Sequence, residues 1–378
     1  MKEKVLVISN FHEVSPISRT DMAYNYFSQR GYDVKVLYSS FSHSLKKQRQ
    51  LENSQFVSLE TISYNSSLSP KRILSYLIFS FKVYRFLGKN YFDTVYINLP
   101  PNTIGLAVLL RKKRYSKLIV DILDLWPESF PISNYISKVI LYILGIIPKT
   151  IRKATIKYCD FCITESNLFY NLLKLKNTNK SKVIHLKKNH KEIPNYSKLS
   201  NDISILYLGN IGIIYDFMSL FKIIKGVQNN RKVVLHVIGL GPLSDWFFLN
   251  LKNKNINYVY HGATFNEDIK KEIMSKCWFG FNGYKKNTEV ALSYKSIDYF
   301  SYGLPIINSA KEDLEDLVEN EKIGYNFDSE SLNPIIDSLS NISRKEVIEI
   351  KKRTFQTFQD KFSLETYCSE MDSVMSKI

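Results

Sequence analysis

Lys295, Asp298 and Tyr302 stand at i, i+3 and i+7 in the segment Glu289–Ile307. That spacing places them along one face of a helix. Gly303 would end the helix, and Pro305 would open the strand after it. A cation and a carboxylate at a helix N-terminus can hold a diphosphate and a ribose together: lysine brings charge to phosphate, and a carboxylate accepts from a vicinal diol. The same residues also fit a solvated i,i+3 ion pair worth about 0.2–0.5 kcal/mol. Two glycine turns come earlier in the chain. Tyr207-Leu-Gly209-Asn210-Ile-Gly212 closes one apolar run, and Val237-Ile-Gly239-Leu-Gly241-Pro242 closes another. Glycine lets the backbone approach a ligand, and a following helix N-terminus favours negative charge, so a diphosphate suits both turns. A dinucleotide fingerprint would need glycine at Ser244, and no glycine-rich turn follows the first apolar run, Val5–Ser9. NAD-dependent chemistry is disfavoured on both counts.

The elements that must position these residues are short apolar runs alternating with amphipathic segments. Val5–Ser9, Val34–Tyr38, Thr94–Asn98, Leu118–Asp121, Phe161–Thr164 and Val183–Leu186 read as strands in the first half. Ile205–Leu208, Val233–Ile238, Trp278–Asn282 and Ile306–Asn308 follow in the second. Continuous apolar strands between helices predict parallel sheets covered on both faces. Helices are expected over Thr20–Arg30, from Ser69-Pro70 to about Phe86, and over Phe217–Val227. Thr264-Phe-Asn-Glu267 and Ser343-Arg-Lys-Glu346 read as capping boxes opening two more. The polar, aperiodic stretch Lys187–Asp202 reads as a linker. The expected organisation is α/β: a Rossmann-like domain over residues 1–190, a second over 203–355, and a helical segment, 356–378, crossing back toward the first. Ligands of open α/β sheets bind outside the strand carboxyl ends, so a cleft between the domains is the expected site. His12 follows the first strand and should line it.

Charge divides the chain unevenly. The total is 52 Lys+Arg against 36 Asp+Glu over 378 residues, but residues 1–200 hold 31 basic and 13 acidic side chains. The first half carries the whole excess, which suggests an anionic partner on that side. Pro70–Phe86 and Ser137–Lys157 mix lysine and arginine with apolar and aromatic residues, as interfacial helices do. The longest apolar stretch, Val139–Ile147, is far below the roughly 20 residues of a membrane span. The N-terminal apolar run is too short for a signal peptide. Cys159-Asp-Phe-Cys162 has no second pair to complete a zinc site, and four cysteines imply no disulfide framework. The histidines show no ligand spacing, so no metal is expected.

Taken together, these motifs resemble those of retaining GT-B glycosyltransferases that build bacterial capsule, O-antigen and exopolysaccharide. Such proteins open their second domain with Gly-Asn-x-Gly, follow it with Gly-x-Gly-Pro, and then carry Ser-x-Lys-x-x-Glu-Tyr-x-x-x-Gly-x-Pro. Here the last motif is Ser293-Tyr-Lys295-Ser-Ile-Asp298-Tyr299-Phe-Ser-Tyr-Gly303-Leu-Pro305, with Asp for Glu. Asp121-Ile-Leu-Asp124-Leu-Trp126-Pro127-Glu128-Ser129 is similar to the family's Asp-x-x-Asp-Leu-Trp-Pro-Glu-Ser. The resemblance implies a nucleotide-sugar donor, UDP-linked by family frequency, held mainly by the second domain. Gly209, Asn210, Gly212, Gly239 and Gly241 would lie near the diphosphate, with Lys295 on it. Asp298 would meet the ribose, and Gly262 with Thr264 the base. Asp124 would face the transferred sugar, with His12 and Arg19 on the acceptor side.

The resemblance further implies a lipid-pyrophosphate-linked saccharide acceptor, an anionic membrane surface at the cytoplasmic leaflet, and transfer with retention of configuration. It implies no metal and no cofactor beyond the donor. Self-association stays open. Three departures stand out. The family's E-x7-E pair would place its first acid at Val290, so either Glu289 substitutes by a one-residue shift or that acid is missing. Ile211, Ile213 and Ile214 occupy a turn where a basic pair is common. The first domain lacks the family's Gly-Gly loop, where Arg19 would compensate. Two other readings follow from the sequence. One is a non-catalytic GT-B partner subunit, and the other is a basic nucleic-acid-binding protein, for which no recognition motif is present.

Overall fold

Lys4–Ser9 (KVLVIS) buries five consecutive residues, as a strand covered on both faces must. The structure, a computed structural model, describes residues 2–12, 18–43, 45–51, 53–65, 69–126, 135–190, 192–264, 266–286, 288, 290 and 292–378; for 135–144 and 177 only the backbone is described. The chain divides into two units, Met1–His185 with Tyr367–Ile378, and Leu186–Thr366.

In the first unit the order is β1 (Lys4–Ser9), α1 (Arg19–Gln29), β2 (Asp33–Ser39), β3 (Phe41–Ser42), β4 (Lys47–Gln48), β5 (Phe56–Leu59), α2 (Pro70–Lys89) and β6 (Phe92–Leu99). Then come α3 (Thr103–Leu109), β7 (Tyr115–Ile122), α4 (Tyr135–Tyr158), β8 (Phe161–Thr164), α5 (Asn167–Leu172) and β9 (Ser181–Val183). The main sheet runs β5-β2-β1-β6-β7-β8-β9, and all its pairings are parallel. Strand order reverses between β1 and β6, the place where a doubly wound sheet opens a crevice. Ser69 caps α2 by accepting from Lys71 N, with Pro70 in the first turn as the sequence predicts.

The second unit repeats the pattern with β10 (Ile203–Leu208), α6 (Phe217–Gln228), β11 (Val233–Ile238), α7 (Ser244–Asn253), β12 (Tyr258–Tyr260), α8 (Glu267–Lys276) and β13 (Phe279–Asn282). It continues with α9 (Tyr294–Ser301), β14 (Ile306–Asn308), α10 (Asp313–Glu321), β15 (Gly324–Asn326), α11 (Asn333–Asn341), α12 (Arg344–Phe362) and the start of α13 (Leu364–Met375). This sheet is also parallel, in the order β12-β11-β10-β13-β14-β15. The capping box at Ser343 and Glu346 is present.

Three expectations change. The helix expected to open at Thr264 starts at Glu267, because Asn266 is the better cap: its side chain accepts from both Asp268 N and Ile269 N. The strand expected over Val183–Leu186 is Ser181–Val183. The stretch Lys187–Asp202 is no free linker but part of the second unit. Leu186 and Leu199 are buried there, Lys187 Nζ donates to Lys361 O at 2.6 Å, and Trp278 Nε1 donates to Ser200 O at 2.9 Å. Its polarity hides these long-range partners.

A buried ion pair anchors the first unit. Arg19 donates through Nε and Nη2 to the two carboxylate oxygens of Asp121, both at 2.9 Å, and through Nη1 to Ile184 O at 2.8 Å. Tyr96 and Asn98 also donate to Asp121. Removing one partner leaves the other charge buried and unmatched. Arg19→Ala is expected to cost about 3–5 kcal/mol of stability, read as a lower urea midpoint with an unchanged slope.

Candidate functional site

Three turns at the carboxyl ends of β10, β11 and β12 are tied together by the backbone. Gly209 N donates to Ile238 O at 2.9 Å, Gly239 N to Gly262 O at 2.9 Å, and Ile211 N to Leu240 O at 3.2 Å. Gly239 and Gly241 are dictated by the protein's own backbone. A Cβ on Gly239 (φ +151°) would lie 1.9 Å from Gly209 O. A Cβ on Gly241 would lie 2.3 Å from Asn210 Oδ1, and one on Gly212 would lie 2.7 Å from Asn210 Nδ2. The Asn210 amide is thus wedged between Gly212 and Gly241. Gly209, Asn210, Gly212, Gly239, Gly241 and Gly262 therefore form one packed surface.

Lys295 lies behind this surface, on the first turn of α9. Its Cδ is 3.8 Å from where a Gly209 Cβ would stand. Its Nζ is buried and has no hydrogen-bond partner among the described residues. Three aromatic rings surround it instead: Tyr215 at 4.3 Å, Tyr284 at 4.9 Å and Tyr207 at 5.1 Å from the ring centres. Burial pushes all three phenols up, so they stay neutral and offer π faces rather than charge. Tyr207 also fixes the turn above, its hydroxyl donating to Asn210 O at 2.5 Å. Burial pushes the Lys295 amine down to about 7. The tyrosines escaped the sequence reading, although Tyr207 adjoins the glycine turn.

Helix N-termini differ in what they offer an anion. At α6 the Asp216 carboxylate already accepts from Ser219 N at 3.1 Å. At α9 the cap is the neutral Ser293 hydroxyl, accepting from Ser296 N. Asp298 shares α9 with Lys295 but meets other neighbours. Its carboxylate accepts from Lys188 Nζ at 2.7 Å and Lys270 Nζ at 3.4 Å. Glu267 joins the cluster; burial opposes its ionisation, but bonds from Lys270, Tyr302 and Lys188 hold it at about 2. Thr264 Oγ1 accepts from Asn266 N at 3.1 Å, beside the Gly262 turn. Glu289 lies outside the described residues.

In the first unit, His12 is buried against Tyr38 and Phe56, with its Nε2 2.7 Å from Asp21 Oδ1. Arg19 is 2% exposed, its guanidinium held by Asp121 and the Ile184 and His185 carbonyls. It therefore serves the interior of the unit. Asp124 is partly buried just after β7. Glu165, one residue past β8, is pushed up to about 8 by burial, with Asp121 and Asp124 adding to the rise and Arg19 opposing it. The motif residues Pro127, Glu128 and Ser129 lie outside the described residues. Trp126 is described, and its carbonyl accepts from Asn102 Nδ2 at 3.1 Å. Among the described residues no group of three or more His, Cys, Asp or Glu side chains could hold a metal ion.

Two parallel Rossmann-like sheets with helices following the second define the GT-B fold of glycosyltransferases, and this chain has it. Sucrose-phosphate synthase from Thermosynechococcus elongatus matches with a TM-score of 0.73 at 12% identity, over 100% of this chain and 99% of that one. The lipopolysaccharide outer core galactosyltransferase WaaB in its apo form matches at 0.68 and 14%, over 99% and 100%. Anabaena HepE in complex with UDP and glucose matches at 0.67 and 12%, over 100% of both chains. At such identities the likeness is one of fold. No protein-family model matches the chain, and no curated protein matches it in sequence.

The buried amine links stability to pH. Folded, Lys295 releases its proton near pH 7; unfolded, it keeps it to about 10.5. Between those values the unfolded chain binds more protons, so this group makes stability rise with pH. Subtracting the melting temperatures of Lys295→Met from those of the unmodified protein should give a difference that climbs across pH 7 to 10. A flat difference would show the amine to be ordinarily solvated.

Proposed function

We propose that the chain is a glycosyltransferase that moves a sugar from a UDP-sugar to a lipid-pyrophosphate-linked saccharide, in the assembly of a bacterial surface polysaccharide and with retention of configuration. The observation that carries this reading is the Lys295 amine, buried behind the Gly209 turn with no hydrogen-bond partner among the described residues. A diphosphate at the N-terminus of α9 would give that amine its oxygens, and the uncharged Ser293 cap leaves room for negative charge there. Gly209, Asn210, Gly212, Gly239 and Gly241 would form the floor under it. Gly262 and Thr264 would lie toward the base, and Asp298 toward the ribose.

Glycosyl transfer separates an oxocarbenium-like sugar from a departing diphosphate. A preorganised cation on the leaving group lowers that barrier without a metal ion. Asp124 would face the transferred sugar with Glu289, and His12 would lie on the acceptor side. The UDP held by HepE supports a UDP-linked donor.

The cationic first unit suits a membrane-borne acceptor at the inner face of the cell membrane. No helix among the described residues is long and apolar enough to cross a membrane. Yet α2 exposes Ile73, Leu74, Leu77 and Phe81, from 47% to 59% of each. Lys71, Arg72, Lys82, Arg85 and Lys89 flank this stripe, and α2 has no acidic residue. Such a face fits an anionic leaflet, where each lysine or arginine contributes about 1 kcal/mol.

Thermal-shift measurements with UDP, GDP and dTDP test the donor site. UDP should stabilise the protein by about 2.7 kcal/mol at 100 times its dissociation constant, equally in chelator, and Lys295→Ala or Asp298→Ala should abolish the shift. A folded protein indifferent to every nucleotide would sink the proposal. Sedimentation with vesicles tests the membrane face: binding should favour anionic over neutral lipid and fall in a Leu77→Glu, Phe81→Glu double variant. Equal binding to both lipids would remove the electrostatic part.

A further inference from the structure

An arginine usually lays its methylene stem on apolar surface and keeps its guanidinium in water. Arg49, just past β4, does the reverse. The residue is partly exposed, yet its Nε, Nη1 and Nη2 are all shielded from solvent. None of the three has a hydrogen-bond partner among the described residues. The guanidinium lies 5.8 Å from the centre of the Tyr38 ring. The backbone around it is firmly placed: Arg49 N donates to Ser40 O at 2.7 Å, and Leu51 N donates to the Tyr38 hydroxyl at 2.7 Å. A ring face offsets only part of the cost of dehydrating a guanidinium. Its full set of N–H donors forms a planar fork matched to an oxyanion.

A second unpartnered atom belongs to a residue against the same ring. His12 stands 5.7 Å from the Tyr38 ring centre, and its Nδ1 is buried with no hydrogen-bond partner among the described residues. Nε2 faces the Asp21 carboxylate at 2.7 Å and so carries a proton, and in the neutral imidazole Nδ1 is then an acceptor. Donors for an oxyanion and an acceptor for a hydroxyl describe a ligand that carries both. His12 follows β1, Arg49 follows β2, and Tyr38 is the penultimate residue of β2, so the group stands at the carboxyl ends of these strands, where a doubly wound sheet takes its ligands.

We infer that Arg49 anchors an oxyanion, phosphoryl or carboxyl, on the acceptor saccharide, with His12 Nδ1 taking a neighbouring hydroxyl. That the ligand is an acceptor rests on the glycosyltransferase reading; the anion site itself does not.

The test uses the Lys295→Ala protein, so that the donor turns do not compete for anions. Pyrophosphate and glucuronate are titrated by calorimetry, the first standing for a phosphoryl group and the second for a sugar carboxylate. At least one should bind, and Arg49→Met should weaken it about tenfold or more while Arg49→Lys retains part of the affinity. Without ligand, Arg49→Met should melt at the same temperature or higher, because it removes a dehydrated charge and keeps the stem. Binding of neither probe, affinity indifferent to Arg49→Met, or a lower melting temperature for that variant would each overturn the inference. The UDP shift of the unmodified protein reports on the donor site separately, so the two readings fail independently.

Discussion

An amine that has left water needs oxygen atoms, and among the described residues Lys295 meets only three tyrosine faces. That constraint organises the second unit around the ends of β10 and β13. Tyr207 serves two ends at once, offering its ring to the amine and its hydroxyl to the Asn210 carbonyl. Above it, the turns close on one another so tightly that only glycine fits at 239 and 241. Asn210 fills the room the glycines leave. The result is a surface built before any ligand arrives, with an amine behind it whose best partner is a negatively charged oxygen. Preorganisation of this kind is what electrostatic catalysis requires, because nothing has to reorient when charge develops.

Charge in the two units follows two different rules. In the second unit it is local and balanced, as in the Lys188, Lys270, Glu267 and Asp298 cluster, where two amines meet two carboxylates. Such a cluster holds Asp298 in place but also occupies it, so any diol that approaches must share the carboxylate with two lysines. In the first unit the excess is positive and uncompensated. Some of it borders apolar residues on α2, and some of it, at Arg49, is turned inward. These arrangements suit different parts of an amphiphilic molecule, one apolar and one ionic.

Both sheets could be read from the sequence because their central strands carry continuous apolar runs, as in VLVI (5–8) and ILYL (205–208). The caps at Ser69 and Ser343 were readable for a similar reason: each depends on residues within one helical turn. Edge strands were not. β12 carries Tyr258 and two exposed residues, so its periodicity is that of a loop. The glycine turns and Lys295 were found by spacing, but the reason for the glycines was not, since Gly239 answers to an oxygen 30 positions away. Lys188 reaches Asp298 across 110 residues, and nothing local in the polar segment around it announces that bond. The inward turn of Arg49 is likewise a tertiary fact, invisible in a segment of ordinary polar composition.

The last turns of α13 belong to the unit that the chain left at His185. Asp372 accepts from Tyr26 at 2.8 Å and from Arg30, while the Tyr367 ring lies 5.6 Å from the Arg19 guanidinium. The N-terminal unit is therefore sewn shut by residues 367–378. A ribosome that has delivered residues 1–185 has delivered every strand of the first sheet but not its closing stitch. Neither half can be released by one cut in the chain; isolating the first unit calls for grafting that terminal segment back onto it.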